Sequence, residues 1–209
     1  MSSRMECEVY KTLKTPRCTV EVRRRCGPSY IRGLRLAQGF GYFVNPVQGV
    51  EPLALAASRG DYVALAVHDG EVVGFLVAYR MSFEGLPGHI ALEDVYDIAT
   101  EVSRKWRKMG IGSALLEATV RDPYFDDKVL LIRGNPDYWD CYGSECRRYA
   151  MFIKEIPTLY YGFEELPVRM PGDLFTIARI GPRAKTTKEQ LASLLLKMSE
   201  GIAGEFYPF

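Results

Sequence analysis

Long apolar runs are missing from this chain. The strongest apolar stretches, Tyr62 to Val67 and Val72 to Tyr79, are separated by His68-Asp69-Gly70-Glu71, and each falls well short of the ~18 residues a membrane-spanning helix needs. The first eight residues, Met-Ser-Ser-Arg-Met-Glu-Cys-Glu, lack the apolar core of a secretory leader, so a cytoplasmic location is expected. An excess of charge of one sign is missing too. Lys plus Arg is 27 and Asp plus Glu is 26, for a formal net charge of +1, so no whole-molecule field draws the protein to nucleic acid or to an anionic membrane. Metal ligands are scarce: two histidines, His68 and His89, and five cysteines without a Cys-x-x-Cys pair. No metal site is expected from that set.

Amide side chains are also rare, with 2 Asn and 3 Gln, while Arg outnumbers Lys 18 to 9. That balance is compatible with a heat-adapted source, in which intracellular disulfides do occur, and a bridge from Cys7 or Cys18 to Cys26 is compatible with it. The remaining composition, 47% hydrophobic and 25% charged, is that of a folded globular chain and excludes disorder, collagen and a coiled-coil rod. A length of 209 residues is about 1.4 typical domains. The expectation is one domain over 1–209, with an N-terminal strand arm (1–26) and a C-terminal helical extension (186–209).

Cys18-Thr-Val-Glu-Val-Arg alternates apolar and polar positions at the strand period of two. Arg23-Arg24-Arg25 follows, and so short a run reads as a solvated strand edge rather than a nucleic-acid patch. Helical spacing is weak over 30–38 and adequate over 50–59, with an irregular Gly/Pro/Asn stretch between them at 39–49. The clearest hairpin is Tyr62–Val67 and Val72–Tyr79 around Asp-Gly, a pair that supplies the positive φ angles of a tight turn. Further strands are expected at 95–102, 128–132 and 174–180. Helices are expected from Gly110, where Ile111, Ala114, Leu115 and Ala118 share a face, over 142–156 up to Pro157, and over 186–198 with Thr187 and Gln190 in capping-box spacing. Strands interleaved with helices, hairpin first and strand-helix-strand second, predict a mixed α/β sheet.

Chemistry concentrates in Ile98 to Leu116, where a strand passes through a basic turn into a helix. A phosphate-binding turn needs small residues, so that consecutive backbone N–H groups converge on oxygens while a helix N-terminus adds its positive dipole. A Walker loop is excluded because no lysine follows Gly112. A dinucleotide fingerprint lacks its third glycine, that place being Leu115, and should follow its strand at once. Arg107-Lys108-Met109-Gly110-Ile111-Gly112 instead fits the pattern Arg/Gln-x-x-Gly-x-Gly/Ala.

On that motif, with the strand ending Glu101-Val102 before it and an Ala/Leu-rich helix after it, the chain resembles the GNAT superfamily of acetyl-CoA-dependent N-acetyltransferases. The resemblance implies a mixed, mostly antiparallel sheet with one splayed parallel pair, strands 95–102 and 128–132, and acetyl-CoA between them. It implies the pyrophosphate on main-chain N–H groups of Arg107, Lys108, Met109, Gly110, Ile111, Gly112 and Ser113, and pantetheine beside the main chain of Val102. Many members of the superfamily carry Gly where this chain has Lys108. Asp69-Gly70-Glu71-Val72-Val73-Gly74, Thr100-Glu101-Val102, Tyr138-Trp139-Asp140, Ala178-Arg179-Ile180-Gly181 and the aromatic C-terminus are similar to the acetoin-utilization acetyltransferases. That family acetylates a lysine of AMP-forming acetyl-CoA synthetase, which makes this synthetase the implied protein partner.

A lysine ammonium, with a pKa of ~10.4, must lose a proton before it attacks a thioester. Glu101 stands where many protein-acetylating relatives place a carboxylate and is the candidate base; the alternative is a strand glutamate facing solvent or pairing with an arginine. Glu93, Asp94 and Asp97 are its substitutes. Tyr149 is the candidate acid toward the CoA thiolate, or a packed core tyrosine, with Tyr160 and Tyr161 behind it. Asn135 either hydrogen-bonds the cofactor or caps its turn. Cys141 and Cys146 have no histidine partner nearby in sequence, which disfavours an acetyl-cysteine intermediate. A small-amine acetyltransferase and a non-catalytic acyl-CoA-binding module are the alternatives to protein acetylation. The terminal aromatics are read as an oligomer contact or a packed end.

Overall fold

The hairpin that the sequence marks most clearly forms as expected in the computed structural model, which describes residues 7–15, 18–41, 43, 44, 46–81, 94–136 and 144–201. Asp69 and Gly70 take φ values of 48° and 74°, the positive pair that a type I′ turn requires. They join β4 (Tyr62–His68) to β5 (Glu71–Arg80), antiparallel from Tyr62↔Ala78 to His68↔Glu71.

The chain divides into two compact units, Met1–Tyr79 with Ile98–Pro123, and Arg80–Asp97 with Tyr124–Phe209. In the first, β1 (Glu8–Lys14) pairs antiparallel with β2 (Thr19–Arg24), and β2 with β4, while the two-residue β3 (Arg35–Leu36) runs parallel to the start of β5. The expected arm is therefore an edge hairpin. Helices α1 (Pro28–Arg32), α2 (Glu51–Ser58) and α3 (Ile111–Val120) complete the unit. α3 packs on β2 and β4 through the predicted face of Ile111, Ala114, Leu115 and Ala118. Gly74 of β5 permits that approach: a Cβ there would stand 3.0 Å from Ile111 Cγ2 and 3.3 Å from Leu115 Cδ1.

In the second unit, the start of β6 (Val95–Val102) pairs in parallel with β7 (Val129–Arg133), β7 pairs antiparallel with β9 (Thr176–Ile180), and β9 with the short β8 (Glu164–Glu165). The β6/β7 register runs from Val95↔Val129 to Asp97↔Leu131, although β6 continues to Val102. The sheet is thus mixed, mostly antiparallel with a parallel pair that ends early, as expected. α5 (Lys188–Gly201) buries Leu191, Leu194, Leu195 and Met198 against Val95, Val129, Leu131 and Ala178. Its N-terminus carries the predicted capping box: Gln190 N–H donates to Thr187 Oγ1 at 3.2 Å, and Thr187 N–H to Gln190 Oε1 at 2.9 Å.

Three expectations are corrected. The weak helical pattern over 30–38 stops at Arg32, where Gly33 caps α1, and Arg35–Leu36 is strand. α4 (Ser144–Tyr160) does not halt at Pro157 but carries it in its last turn. Only one helical hydrogen bond is lost there, and the Thr158 hydroxyl bonds back to the carbonyls of Lys154 and Glu155 at 2.9 and 3.1 Å. The three arginines are not a solvated edge. Arg23 bonds Glu21 and the Cys7 carbonyl, Arg24 forks onto Glu8 at 3.0 Å, and Arg25 forks onto Asp122. Cys7 and Cys26 form a disulfide, closing β1 onto the end of β2, and Cys18 is a free thiol.

Asp122 is fully buried, with the Tyr62 hydroxyl donating to Oδ2 at 2.9 Å besides the Arg25 fork. Burial and that carboxylate push the Tyr62 phenol well above its ordinary range, so it remains a donor. Removing the carboxylate takes away the acceptor of both the Arg25 fork and the Tyr62 hydroxyl. Asp122→Ala is expected to cost about 3–5 kcal/mol in urea unfolding, against about 0.5–1 kcal/mol for Glu8→Ala at the exposed end of the same arginine run.

Candidate functional site

The basic turn after β6 is built from its own main chain. Ser103 N–H donates to Val73 O at 3.0 Å, holding the strand end on β5, and Trp106 N–H returns to Ser103 O at 2.8 Å in a single helical turn over Arg104–Trp106. Lys108 and Gly110 then adopt φ values of 64° and 77°. The first helical bond of α3 runs from Ala114 N–H to Gly110 O at 3.0 Å, so the amides of Ile111, Gly112 and Ser113 precede it and point out of the helix N-terminus. No acidic residue lies in that first turn. The arrangement suits an anion with several oxygens.

The left-handed backbone at Lys108 also gives a physical reason for the glycine common at this place in related proteins. Arg107 does not extend from the turn: its Nε donates to Val102 O at 3.0 Å, so one lone pair of that carbonyl is occupied.

Glu101 is 6% exposed, so it does not face solvent as one alternative reading supposed. Its Oε1 accepts Gly41 N–H at 2.9 Å and its Oε2 accepts Phe43 N–H at 3.1 Å. Two residues on, the Ser103 hydroxyl donates to Gln38 O at 2.6 Å, and Arg104 N–H to Gly39 O at 3.2 Å. The irregular stretch after residue 38 is therefore laced along the end of β6, with Glu101 at the centre of the lacing.

The substitutes are engaged elsewhere. Asp94 accepts the N–H groups of Lys185 and Thr186 and the Thr186 hydroxyl ahead of α5, and Asp97 pairs with Arg133 at 2.9 Å. Glu93, His89, Cys141 and Tyr138-Trp139-Asp140 lie outside the described residues, as do the Cys146 side chain and the terminal aromatics. Tyr149 is 44% exposed on α4, which removes the core-packing reading, and Tyr160 is exposed as well. His68 is locally bonded, with Nδ1 at 2.8 Å from Thr19 O and the ring against Trp106.

Sequence reasoning missed Asp173. The turn Met170-Pro171-Gly172-Asp173, closed by Asp173 N–H to Met170 O at 3.0 Å with Gly172 at φ 86°, sets it beside the end of β7. A Cβ on Gly172 would lie 3.5 Å from Asn135 Nδ2, so the structure brings Asn135 and Asp173 into one neighbourhood. Asp173 is 9% exposed, and among the described residues neither carboxylate oxygen has a hydrogen-bond partner. Burial pushes its pKa up to about 6; Arg133 opposes the rise and Asp97 adds to it. A lone Asp after Pro-Gly reads as turn chemistry, so no sequence signal marked it. Among the described residues no group of three or more His, Cys, Asp or Glu could hold a metal, and no helix is long and apolar enough to cross a membrane.

Residues 36–122, which span β3 to the Asp122 anchor and include the whole basic turn, match the family model described as acetyltransferase (GNAT) family. This segment is a GNAT acetyltransferase domain. The GNAT assignment makes the reaction class acyl transfer, with acetyl-CoA as donor. In fold the chain is similar to an acetoin utilization protein from Exiguobacterium sibiricum, at a TM-score of 0.76 and 20% identity, covering 92% of this chain and 94% of that one. It is also similar to the GNAT domain of PAT from S. lividans, at a TM-score of 0.50 and 14% identity, covering 81% and 95%. No curated protein matches the sequence.

Two outcomes follow from the backbone and charge of this GNAT site. Lys108→Gly is expected to keep or raise the melting temperature while weakening acetyl-CoA binding and flattening its salt dependence, read by calorimetry at two ionic strengths. Asp173 holds its proton more tightly folded than unfolded, so its contribution falls as pH rises from about 4 through about 6 and is unfavourable above. Asp173→Asn is therefore expected to match wild type in melting temperature near pH 4 and to exceed it by roughly 2–4 °C at pH 8, measured by differential scanning calorimetry.

Proposed function

We propose that both units together form one acetyltransferase domain that moves the acetyl group of acetyl-CoA onto the ε-amine of a protein lysine. The candidate acceptor is AMP-forming acetyl-CoA synthetase, in the cytoplasm. The observation that carries the donor half is the turn from Arg107 to Ser113, with two left-handed residues, three outward amides and no acidic residue in the first turn of α3. The pyrophosphate rests on the amides of Ile111, Gly112 and Ser113 and on the main chain of Arg107 to Gly110, with the Lys108 ammonium adding charge. Pantetheine lies along the Val102 main chain, and Asn135 hydrogen-bonds its reactive end.

Glu101 takes the proton from the acceptor ammonium. Its two amide bonds orient the carboxylate, which receives the proton directly or through one water. The neutral amine attacks the thioester carbonyl in a ternary complex, the C–S bond breaks as the nitrogen releases its second proton to solvent, and the thiolate takes a proton from Tyr149, which is re-protonated from solvent. Because Glu101 also laces the loop that follows residue 38, that loop is the acceptor-docking element. Acceptor and loop are then positioned by the same carboxylate that accepts the proton.

A protein acceptor is supported by the motifs shared with the acetoin-utilization acetyltransferases and by the likeness in fold over 92% of the chain to an acetoin utilization protein. The deciding assay is CoA release from acetyl-CoA with purified AMP-forming acetyl-CoA synthetase, with mass spectrometry of its lysines. Wild type is expected to acetylate the synthetase, and Glu101→Gln to lose about 10²–10⁴-fold in kcat while still binding acetyl-CoA. Tight acetyl-CoA binding without turnover on proteins or amines would overturn the enzymatic reading in favour of a binding module.

A further inference from the structure

β4 ends at His68, and each ring nitrogen of that residue faces an oxygen. Nδ1 stands 2.8 Å from Thr19 O of β2, and Nε2 stands 3.2 Å from Asp69 Oδ2 in the hairpin turn. A carbonyl oxygen only accepts, so the first ring proton sits on Nδ1 and donates to Thr19. In the neutral ring, Nε2 would then aim a lone pair at a carboxylate, which is repulsive. A second proton turns the same contact into an ion pair and leaves both nitrogens donating to acceptors. The geometry is that of an imidazolium.

The face of the ring is engaged as well. Trp106 lies against it with 5.0 Å between ring centroids and 52° between planes, within the ~6 Å at which an indole attracts a cation. Trp106 closes the single helical turn over Arg104–Trp106, where its N–H donates to Ser103 O, and so belongs to the basic turn that runs on to α3. Thr19, His68, Asp69 and Trp106 all lie in the first compact unit. The charged groups around the ring are Asp69; Glu71, its cross-strand neighbour on β5, met by Arg35 at 3.7 Å; and Glu21 on β2, bonded by Arg23 at 2.8 Å. On the basic turn they are Arg104 and Lys105 before Trp106, and Arg107 and Lys108 after it.

We propose that His68 is a positioning residue for acetyl-CoA: as the imidazolium it holds Trp106, and through Trp106 the basic turn, in the form that receives the pyrophosphate. This rests on the donor-turn reading above and deepens it, because it makes a proton the ligand that controls donor binding. Imidazole is the side chain whose charge changes between pH 5 and 8 in its ordinary state. Loss of the Nε2 proton removes the ion pair with Asp69 and the cation at the indole together, and leaves the Nδ1 bond to Thr19. Donor affinity is therefore higher with the ring charged and falls as the ring loses its proton.

Acetyl-CoA affinity of the full chain, measured by calorimetry between pH 5.5 and 8.5 (about the range in which imidazole titrates), is compared for wild type and His68→Gln. The glutamine amide can still donate to Thr19 O but stays neutral. The ratio of the two affinities, in which titration of the ligand's own phosphate cancels, is expected to fall about three- to tenfold from the acid to the alkaline end. Asp69→Asn, an exchange that a left-handed turn residue tolerates, is expected to flatten it. A readout free of ligand accompanies this: in proton NMR the indole N–H of Trp106, identified by its loss in Trp106→Phe, is expected to shift with the same midpoint as the His68 ring and to stay still in His68→Gln. The turn is checked separately by Gly112→Asp, whose Cβ meets only an ordinary contact, Val102 Cγ2 at 3.8 Å, and whose carboxylate would face the pyrophosphate. A ratio that ignores pH, or an indole signal that ignores the His68 titration, in a protein whose acetyl-CoA binding Gly112→Asp abolishes, overturns the role of His68 alone. Binding that Gly112→Asp leaves intact overturns the donor-turn reading, and the proposal with it.

Discussion

A buried carboxylate at the far end of α3 fixes the helix whose near end forms the donor turn. Asp122 follows the last turn of α3 and receives Arg25 from the end of β2 and the Tyr62 hydroxyl from β4. An acidic group there opposes the helix dipole and is desolvated by burial, and those two partners offset both costs. With them it ties α3 to the two strands beneath it, while Lys11 of β1 holds Glu117 one turn earlier. The N-terminal amides of Ile111 to Ser113 are thus aimed by contacts more than two helical turns away.

That anchor also accounts for the backbone of Arg25, which stands at φ 55°, a conformation that costs a non-glycine residue about 1 kcal/mol or more. The fork onto Asp122 holds the residue there. Strain of the same kind recurs at Lys108 in the donor turn, where no hydrogen bond described above compensates it. One left-handed residue serves stability and the other shapes the turn proposed for the pyrophosphate.

Elements whose signal is local were readable in the sequence. The Asp69-Gly70 turn, the strand Val95–Val102, the apolar face of α3 and the Thr187/Gln190 box each depend on residues within a few positions of one another, and each was found where expected. What escaped depends on distant partners. The arginine run looked like a solvated edge because Glu8 and Asp122, 16 and 97 residues away, are invisible to local pattern. β3 and β8 are two residues each, too short for any periodicity. Pro157 was read as a stop because a proline's cost is the same in any helix, whereas its position in the final turn decides whether that cost matters. At the site, Arg107-x-x-Gly-x-Gly identified the donor turn, but the ties from Glu101 to Gly41 and Phe43 and the exposed setting of Tyr149 are tertiary facts.

The edge hairpin β1/β2 is fastened twice, by chemistries that answer to different conditions. Cys7–Cys26 closes it covalently across a separation of 19 residues, a loop whose closure stabilises by about 3 kcal/mol in the chain-entropy account. Arg24–Glu8 and the Arg23 bond to the Cys7 carbonyl hold it electrostatically. A reducing compartment releases the first fastening and high salt weakens the second, so neither alone frees the strand. The exposed edge of the sheet, the part most open to pairing with another chain, is insured against both redox and ionic change.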